Sequence, residues 1–426
     1  MKEKLYRPRV IDNVIQRYLK IAGAICIEGP KWCGKTWTSR YASKSEFLVG
    51  SPYNNFANRQ LANLNPQSIL SGQNPRMIDE WQEAPAIWDA VRATVDEIGE
   101  NGLFILTGSS TPKYKGILHS GAGRIARLRM NTMSLYESGE SSGKISLADL
   151  CNNNDNFEPM YVEELGFDML AKLIIRGGWP SSIDNDLSES HLVARQYINS
   201  ILNQQLVDEE GNRFDLDKVK LILKSLARNV STTVSERSII DDISQNETNK
   251  VSRPTLSKYL EFLNKMFLFD NLEPYAPNYC SSLRVKQLEK RYFSDPSIAC
   301  AMLNLTADKL TKDPNLYGIL FESLVVRDLK IYARAMDAEV YHYQDYRGNE
   351  IDAIIELSGG DWAALEIKLG SNTVNEAALK LNKTINDMVN SGAKAPVLKC
   401  IIVGLGNLAY KRDDGIIVLP INALKN

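Results

Sequence analysis

The octet GPKWCGKT at residues 29–36 directly follows the apolar run AICIE at residues 24–28, and a helical pattern begins where the octet ends. It matches GxxxxGK[ST], the pattern of a glycine-rich loop between a strand and a helix whose backbone N–H groups surround phosphates. Lys35 is expected to reach the β- and γ-phosphates, and the hydroxyl of Thr36 is expected to bind Mg²⁺. We therefore predict an ATP site formed by the whole octet, namely Gly29, Pro30, Lys31, Trp32, Cys33, Gly34, Lys35 and Thr36.

Two adjacent carboxylates end a second apolar run, RMIDE at residues 76–80. Adjacent residues of a strand point to opposite faces, so the two carboxylates need not share a role. Asp79 is predicted to hold Mg²⁺, directly or through water, and Glu80 is predicted to orient and deprotonate the attacking water. Glu83 is a weaker candidate for the role of Glu80.

The run FILTGSS at residues 104–110 ends in small polar groups. In ATPases that place a strand between the phosphate loop and the acidic strand, a polar residue at this point senses the γ-phosphate. Thr107 is the first choice for this catalytic role and Ser109 the second. An ordinary strand-end turn is the alternative.

Short apolar runs alternate with helical patterns throughout the first third of the chain. Strands of four to six residues that alternate with helices predict a parallel sheet covered on both faces. The predicted strands are AICIE (24–28), EFLV (46–49), RMID (76–79), LFILT (103–107) and RIARLRM (124–130).

Residues 112–136 contain five basic side chains and no acidic one: Lys113, Lys115, Arg124, Arg127 and Arg129. Arg124 follows Gly121-Ala122-Gly123, a flexible approach to a strand. An arginine presented in this way could complete the ATP site of a neighbouring subunit and stabilise charge in the transition state, which predicts a homo-oligomer. A solvated basic face, or a contact to a nucleic-acid backbone, is the alternative.

The segments GPKWCGKT, MIDEWQEAP, FILTGSS and AGRIARLRM, in this order, resemble the AAA-type P-loop ATPases of a bacterial and archaeal group fused to a C-terminal nuclease-like domain. The resemblance covers nearly the whole chain. It implies an α/β fold with an AAA-like order of five strands, and Mg²⁺-dependent hydrolysis of ATP. No arginine from a helical lid is assigned in this sequence.

The middle of the chain turns helical. Apolar residues recur every three to four positions at 215–230, 235–244 and 253–267, which predicts three helices. These helices resemble a winged-helix module whose recognition helix begins at Ser252 and brings Arg253 and Lys258 to DNA. A helical domain that packs between subunits is the alternative. A further basic cluster is a more credible phosphate contact than this helix: Arg284, Lys286, Lys290 and Arg291.

The last third contains acidic residues on consecutive predicted strands. Glu366 and Lys368 lie on one face of their strand, and Asp352 on the neighbouring strand can join them. Two carboxylates beside a lysine suit Mg²⁺-assisted phosphodiester hydrolysis. The arrangement resembles the PD-(D/E)xK restriction-endonuclease-like α/β fold, and this resemblance adds Glu322 as an acid from a helix. Chance surface charges and a degenerate, nuclease-like binding domain are the alternatives.

Composition limits the classes of protein to which the chain can belong. With 426 residues, 44 % of them hydrophobic and 24 % charged, it is expected to be globular with two to four domains. Three histidines and six scattered cysteines argue against a zinc site or a disulfide framework. No apolar run has membrane-helix length, and the N-terminus does not resemble a signal peptide, so a cytoplasmic protein is expected. The predicted domains are 1–160 (AAA-like P-loop ATPase), 161–280 (helical or winged-helix) and 281–426 (restriction-endonuclease-like).

Two functional hypotheses follow from these patterns. In the first, a Mg²⁺-dependent ATPase is coupled to DNA binding or processing by the C-terminal domain. In the second, the chain is a signalling or scaffolding NTPase whose nucleotide state switches protein partners and whose nuclease-like domain is inactive. The formal net charge of −2 favours the second modestly.

Overall fold

A computed structural model describes residues 6–109, 120–153, 155–203, 206, 211, 213–244, 251–276 and 288–426 of the chain. The chain forms two compact units. The first unit comprises Met1–Thr132, Val207–Arg213 and Glu261–Leu268, and the second comprises Met133–Leu206, Phe214–Leu260 and Phe269–Asn426. The domain borders expected near residues 160 and 280 stay a prediction.

The first unit alternates strands and helices, as the sequence predicts. Its strands are β1 (Ala24–Glu28), β2 (Ser45–Leu48), β3 (Arg76–Asp79), β4 (Phe104–Gly108) and β5 (Ile125–Arg129). Its helices are α1 (Ile11–Tyr18), α2 (Lys35–Ala42), α3 (Tyr53–Leu64, left-handed at residues 54–56) and α4 (Ala86–Ile98).

The five strands form one parallel sheet in the order β2-β3-β4-β1-β5. The prediction of an N-terminal parallel sheet is therefore confirmed. Because all strands run the same way, their carboxyl ends meet at one edge, and β4 separates β1 from β3. This edge collects the phosphate-loop residues after β1, the acidic residues at the end of β3 and the polar residues at the end of β4.

Apolar side chains beneath this edge hold it in place. Trp81 and Trp88 are fully buried, with ring centroids 4.7 Å apart, in the core that covers one face of the sheet. Burying a large side chain stabilises a fold by roughly 1.5–3 kcal/mol. Trp81 directly follows the acidic pair at the end of β3, so the core fixes the direction of the chain just beyond these carboxylates.

The second unit begins with helices and short strands. Its elements up to residue 310 are α5 (Leu135–Ser138), β6 (Ile145–Ser146), α6 (Leu147–Asn152), β7 (Met160–Tyr161), α7 (Phe167–Arg176), α8 (His191–Leu202), α9 (Leu216–Arg228), α10 (Glu236–Ser244), α11 (Arg253–Lys265, which ends in the first unit), β8 (Glu273–Pro274), α12 (Pro296–Met302) and α13 (Ala307–Leu310). The last three helices before residue 270 coincide with the helical periodicities of the sequence.

A long helix and a mixed sheet complete the second unit. The helices are α14 (Pro314–Ala335) and α15 (Val374–Asn390), and the strands are β9 (Glu339–Gln344), β10 (Glu350–Glu356), β11 (Trp362–Gly370), β12 (Leu398–Leu405), β13 (Leu408–Lys411), β14 (Ile417–Pro420) and β15 (Leu424–Lys425). Eight strands pair in the order β7-β13-β14-β12-β11-β10-β9-β8. The pair β10 and β11 is antiparallel, with Ala353 opposite Leu365, so the acidic residues of the two strands are neighbours.

Among the described residues, no helix combines the length and the hydropathy that crossing a membrane requires. The central and C-terminal domain types predicted from the sequence remain proposals.

Candidate functional site

The loop between β1 and α2 has a backbone that requires glycine at two positions. A Cβ at Gly29 would lie 2.0 Å from the carbonyl oxygen of Met130, which is too close for any side chain. Gly34 precedes α2 with φ 105°, in the left-handed region that glycine adopts without strain. The two glycines of the motif thus let the chain pass close to the end of β5 and enter α2.

Lys35 folds back over this loop. Its ammonium donates hydrogen bonds to the carbonyl oxygens of Gly29 at 2.9 Å and Pro30 at 2.8 Å. The side chain is buried, so the loop holds the positive charge close to its own backbone. A phosphate held by the loop would meet this charge in a partly desolvated setting, where electrostatic attraction is stronger than in water.

Thr36, Asp79 and Thr107 meet at the carboxyl edge of the sheet. The hydroxyl of Thr36 donates to the two carboxylate oxygens of Asp79 at 3.0 and 3.2 Å, and the hydroxyl of Thr107 donates to the same carboxylate. Burial raises the pKa of Asp79, although the hydrogen bonds from both threonines oppose this effect. A cation beside Asp79 would favour its ionised form.

Glu80 lies beside Asp79 but belongs to a different local structure. Strand β3 ends at Asp79, and Glu80 takes a left-handed conformation with φ 57°. Its carboxylate accepts hydrogen bonds from the hydroxyl of Ser109, at 3.1 Å, and from the side-chain amide of Gln82. Its backbone N–H donates to Thr107 at 3.1 Å. Both carboxylates are thus connected to the end of β4.

Glu83, the weaker sequence candidate for the base, is placed differently. It is the last residue of the short turn after Glu80, and its carboxylate pairs with Arg59 of α3 at 3.4 Å in an exposed position. No hydrogen bond connects Glu83 with Thr107 or Ser109 in the described contacts. The geometry therefore favours Glu80 for the catalytic role.

Arg9 is a contributor that sequence reasoning missed. Its buried guanidinium donates to the carbonyl oxygen of Cys33 in the loop at 2.9 Å, and to those of Asn131 and Thr132 at 2.9 and 3.1 Å. It therefore joins the phosphate loop to the chain that follows β5. All three acceptors are backbone atoms, and no sequence pattern marks them.

Arg124 lies at the opposite edge of the sheet from the loop of its own chain. It precedes Ile125, which pairs with Ala24, the first residue of β1. Its guanidinium bonds to Asp96 of α4 at 2.7 Å in an exposed position. An action of Arg124 on ATP would therefore need a second subunit, and this role stays a prediction. Lys113 and Lys115 lie outside the described residues.

A second charged cluster lies in the other unit. The four residues that the resemblance to a nuclease singled out come together: Glu322 from α14, Asp352 from β10, and Glu366 and Lys368 from β11. The ammonium of Lys368 lies 3.2 Å from Asp352 and 2.8 Å from Glu366. The backbone N–H of Ile367 also donates to Asp352, at 2.9 Å.

A fifth member, Lys290, was predicted as a phosphate contact, and that interpretation is wrong for this side chain. Lys290 is buried, with its ammonium 2.6 Å from Glu322 and 3.6 Å from Asp352. Burial opposes its charge, but Tyr292 and the two carboxylates raise its pKa well above the ordinary value. Arg291, from the same predicted cluster, pairs with Glu289. Arg284 and Lys286 lie outside the described residues.

Glu366 is the least satisfied carboxyl group of the second cluster. Its Oε1 accepts from Lys368, whereas its buried Oε2 has no hydrogen-bond partner. Burial, followed by the charge of Asp352, raises its pKa to about 8 against the opposing effect of Lys368. Burial also acts on Asp352, but Lys290 and Lys368 hold its pKa below the usual value. Near neutral pH, Glu366 therefore carries the proton.

This assignment predicts a pH-dependent stability. The pKa of Glu366 is higher in the folded than in the unfolded protein. The contribution of this carboxyl group to the free energy of unfolding is therefore complete below about pH 4.5 and is lost as the pH rises through about 8. From about pH 6 to about pH 9 the wild-type free energy of unfolding should lose about 2–3 kcal/mol through this group. Glu366→Gln has no proton to lose, so its stability should fall less over this range in denaturant titrations. Parallel pH profiles of the two proteins would contradict the assignment.

Three family models match separate parts of the chain. Residues 22–139 match an AAA domain, residues 168–309 match a domain of unknown function (DUF8612), and residues 317–424 match another (DUF4143). The AAA match spans the phosphate loop and the strands that form its edge. The first unit therefore contains an ATPase-like P-loop domain. The other two descriptions name neither a winged helix nor a nuclease.

Two mycobacterial proteins are similar over most of the chain. The uncharacterized proteins Mb2031c of Mycobacterium bovis and Rv2008c of Mycobacterium tuberculosis are each 25 % identical over 362 residues, which is 83 % of this chain and 72 % of theirs. Among solved structures, the Walker-type ATPase PABY2304 of Pyrococcus abyssi is 13 % identical with a TM-score of 0.45, over 71 % of this chain and 97 % of that one. A likeness this weak carries no argument about function.

Proposed function

We propose that the protein is a Mg²⁺-dependent ATPase whose catalytic site lies at the carboxyl edge of the parallel sheet. The observation that carries the proposal is the connected set of Thr36, Asp79 and Thr107, which joins the phosphate loop to the acidic strand through β4. The match of residues 22–139 to an AAA domain supports the same conclusion. These residues are discontinuous in sequence, and a simple glycine-rich turn would not bring them together.

Different residues of the site bind the phosphates, activate the water and connect the two. The N–H groups of the loop and the Lys35 ammonium bind and orient the phosphates, and the same ammonium stabilises the charge that develops on them. The Glu80 carboxylate, held by Ser109 at 3.1 Å, orients the attacking water and accepts its proton. Thr107 connects the Asp79 carboxylate with the backbone of Glu80, because it donates to the former and accepts from the N–H of the latter. It can thereby report the state of the phosphates.

The donor set at Thr36 and Asp79 fits magnesium. Both are oxygen ligands, and Mg²⁺ in nucleotide sites takes one or two protein oxygens in addition to phosphates and water. Thr36 and Asp79 already lie within 3.0 Å of each other, so their oxygens face a common point. When bound there, Mg²⁺ neutralises negative charge on the β- and γ-phosphates.

The direct test is ATP hydrolysis by the full chain with and without magnesium. Removal of Mg²⁺ with EDTA is expected to lower turnover at least about 100-fold, because the phosphates lose the counter-charge held at Thr36 and Asp79. Added Mg²⁺ should restore the rate. Turnover that is unchanged in EDTA would show that this site does not hydrolyse ATP in the proposed manner.

We include coupling to DNA as the second part of the proposal. The supporting observation is that α9, α10 and α11 lie where the sequence predicts a winged helix, with the Ser252 hydroxyl accepting from the N–H of Thr255 at 3.3 Å. Arg253 is exposed and pairs with Glu236 at 3.0 Å, a contact that a DNA phosphate could replace. Lys258 lies over the ring of Phe214 at 5.9 Å.

The salt dependence of DNA binding distinguishes coupling to DNA from the scaffolding alternative. Affinity for duplex DNA that falls steeply with salt, together with ATP turnover that rises when DNA is added, would support coupling. No measurable binding at low salt would favour a protein partner. Cleavage of DNA is left out of the proposal, because both lysines of the second cluster are paired with its carboxylates. Homo-oligomerisation and the role of Arg124 depend on each other and stay predictions.

A further inference from the structure

The second charged cluster contains its own counter-ions. Glu322, Asp352 and Glu366 supply three carboxyl groups, and Lys290 and Lys368 supply two ammonium groups. One ammonium bridges Glu322 and Asp352, and the other bridges Asp352 and Glu366. Three carboxyl groups and two ammonium groups thus compensate most of each other's charge without any added ion.

Lys290 is held in this position by its backbone. Its N–H donates to the carbonyl of Leu272 at 2.9 Å, and its own carbonyl accepts from the N–H of Leu272 at 3.0 Å. Two residues further on, the hydroxyl of Tyr292 donates to Glu322 on the same oxygen that Lys290 contacts. The lysine is therefore part of a paired segment, and its ammonium is directed between the two carboxylates.

The Lys290 ammonium occupies the space between two carboxylates in which a divalent cation would bind. Mg²⁺ and Mn²⁺ bind carboxylates that converge from two sides, and Glu322 and Asp352 already converge on Lys290 Nζ at 2.6 and 3.6 Å. Within the part of the chain that the structure describes, no group of three or more His, Cys, Asp or Glu side chains could hold a metal ion. The cluster therefore does not fit the metal centre that resemblance to a nuclease implies.

We propose that the Lys290 ammonium replaces a divalent cation in this cluster, so that the second unit keeps the carboxylates of a metal-dependent site but binds neither Mg²⁺ nor Mn²⁺. The cluster belongs to the second unit and the ATP site to the first, so this property of Lys290 does not depend on ATP hydrolysis. This property also gives a physical reason for a charged cluster of this composition to remain buried, because each of its three carboxyl groups contacts at least one lysine ammonium.

The test is Mn²⁺ binding to the nucleotide-free, full-length protein, measured by titration calorimetry and by electron paramagnetic resonance. Neither the wild type nor Lys290→Arg, which keeps the positive charge, is expected to have a Mn²⁺ site that depends on Asp352. Any Mn²⁺ that these proteins bind should therefore remain bound after Asp352→Asn. Lys290→Ala should gain one site with an affinity at least about tenfold above any wild-type binding, because removal of the ammonium leaves Glu322 without a cation and Asp352 with Lys368 alone. Adding Glu322→Gln to Lys290→Ala should remove that site.

Stability gives a second readout in case Lys290→Ala folds poorly. Loss of the ammonium between Glu322 and Asp352 should lower its midpoint of thermal unfolding, and Mn²⁺ should raise that midpoint again while leaving the wild-type midpoint unchanged. A wild-type Mn²⁺ site that disappears in Asp352→Asn would overturn the proposal. So would a Lys290→Ala protein that neither binds Mn²⁺ nor is stabilised by it, since Lys290 would then be only one half of an ion pair.

Discussion

Lys35→Ala is expected to reduce ATP turnover at least about 100- to 1,000-fold, the range in which single transition-state donors act. The ammonium lies inside the loop, bonded to the carbonyl oxygens of Gly29 and Pro30. Its direct partners are neutral carbonyls, and Asp79, whose pKa its charge lowers, keeps the hydrogen bonds from Thr36 and Thr107. We therefore expect the loss to appear in kcat and in nucleotide affinity, and not in the fold.

The matched control is Lys44→Ala. Lys44 is an exposed lysine just beyond the carboxyl end of α2, and it lies outside the phosphate loop. The Lys44→Ala substitution should leave ATP turnover within about twofold of the wild type, since changes in exposed side chains away from a site have small effects. Unfolding midpoints and nucleotide titrations of both variants separate loss of binding from loss of folding. Full ATPase activity in Lys35→Ala would overturn the assignment of the whole site.

The phosphate loop could be predicted from sequence because its chemistry is local. Eight consecutive residues contain the two glycines and Lys35, and the preceding apolar run supplies the strand. The sequence places Asp79 at the end of one apolar run and Thr107 at the end of another, and both stay candidates for the catalytic site. Their convergence needed only the parallel order of β3, β4 and β1, in which carboxyl ends share an edge. Local pattern and sheet geometry were enough here.

Features that depend on distant backbone pairing were missed. The sequence presented Lys290 as one of four basic residues, and it was interpreted as a phosphate contact. Its burial follows from pairing with Leu272, a register that no local pattern encodes. Arg9 was missed for a related reason, because it binds backbone carbonyls, which every residue possesses. The proposed role of Glu80 depends on a left-handed conformation that is uncommon for glutamate.

Glu80→Gln is expected to separate binding from hydrolysis. Loss of a general base lowers rates by about 10²–10⁴-fold, and the carboxylate of Glu80 is the base candidate tied to the end of β4. The amide oxygen of glutamine can still accept from Ser109, so the loop, the metal ligands and the fold should be unchanged. ATP affinity, measured by equilibrium titration, should stay within about threefold of the wild type, because Glu80 makes no contact with the loop in the described bonds.

Glu83→Gln is the control that makes this prediction specific. Glu83 lies in the same acidic segment, only three residues away, but its carboxylate faces Arg59 in an exposed pair. Exposed pairs contribute little, so this variant should keep turnover within about twofold of the wild type. If instead Glu83→Gln stops hydrolysis and Glu80→Gln does not, then the water is activated on the Arg59 side of the turn, and the hydrogen bond from Ser109 to Glu80 has only a structural role. Equal losses in both would mean that the turn after β3 acts as a whole, because neither carboxylate alone could then account for the proton transfer.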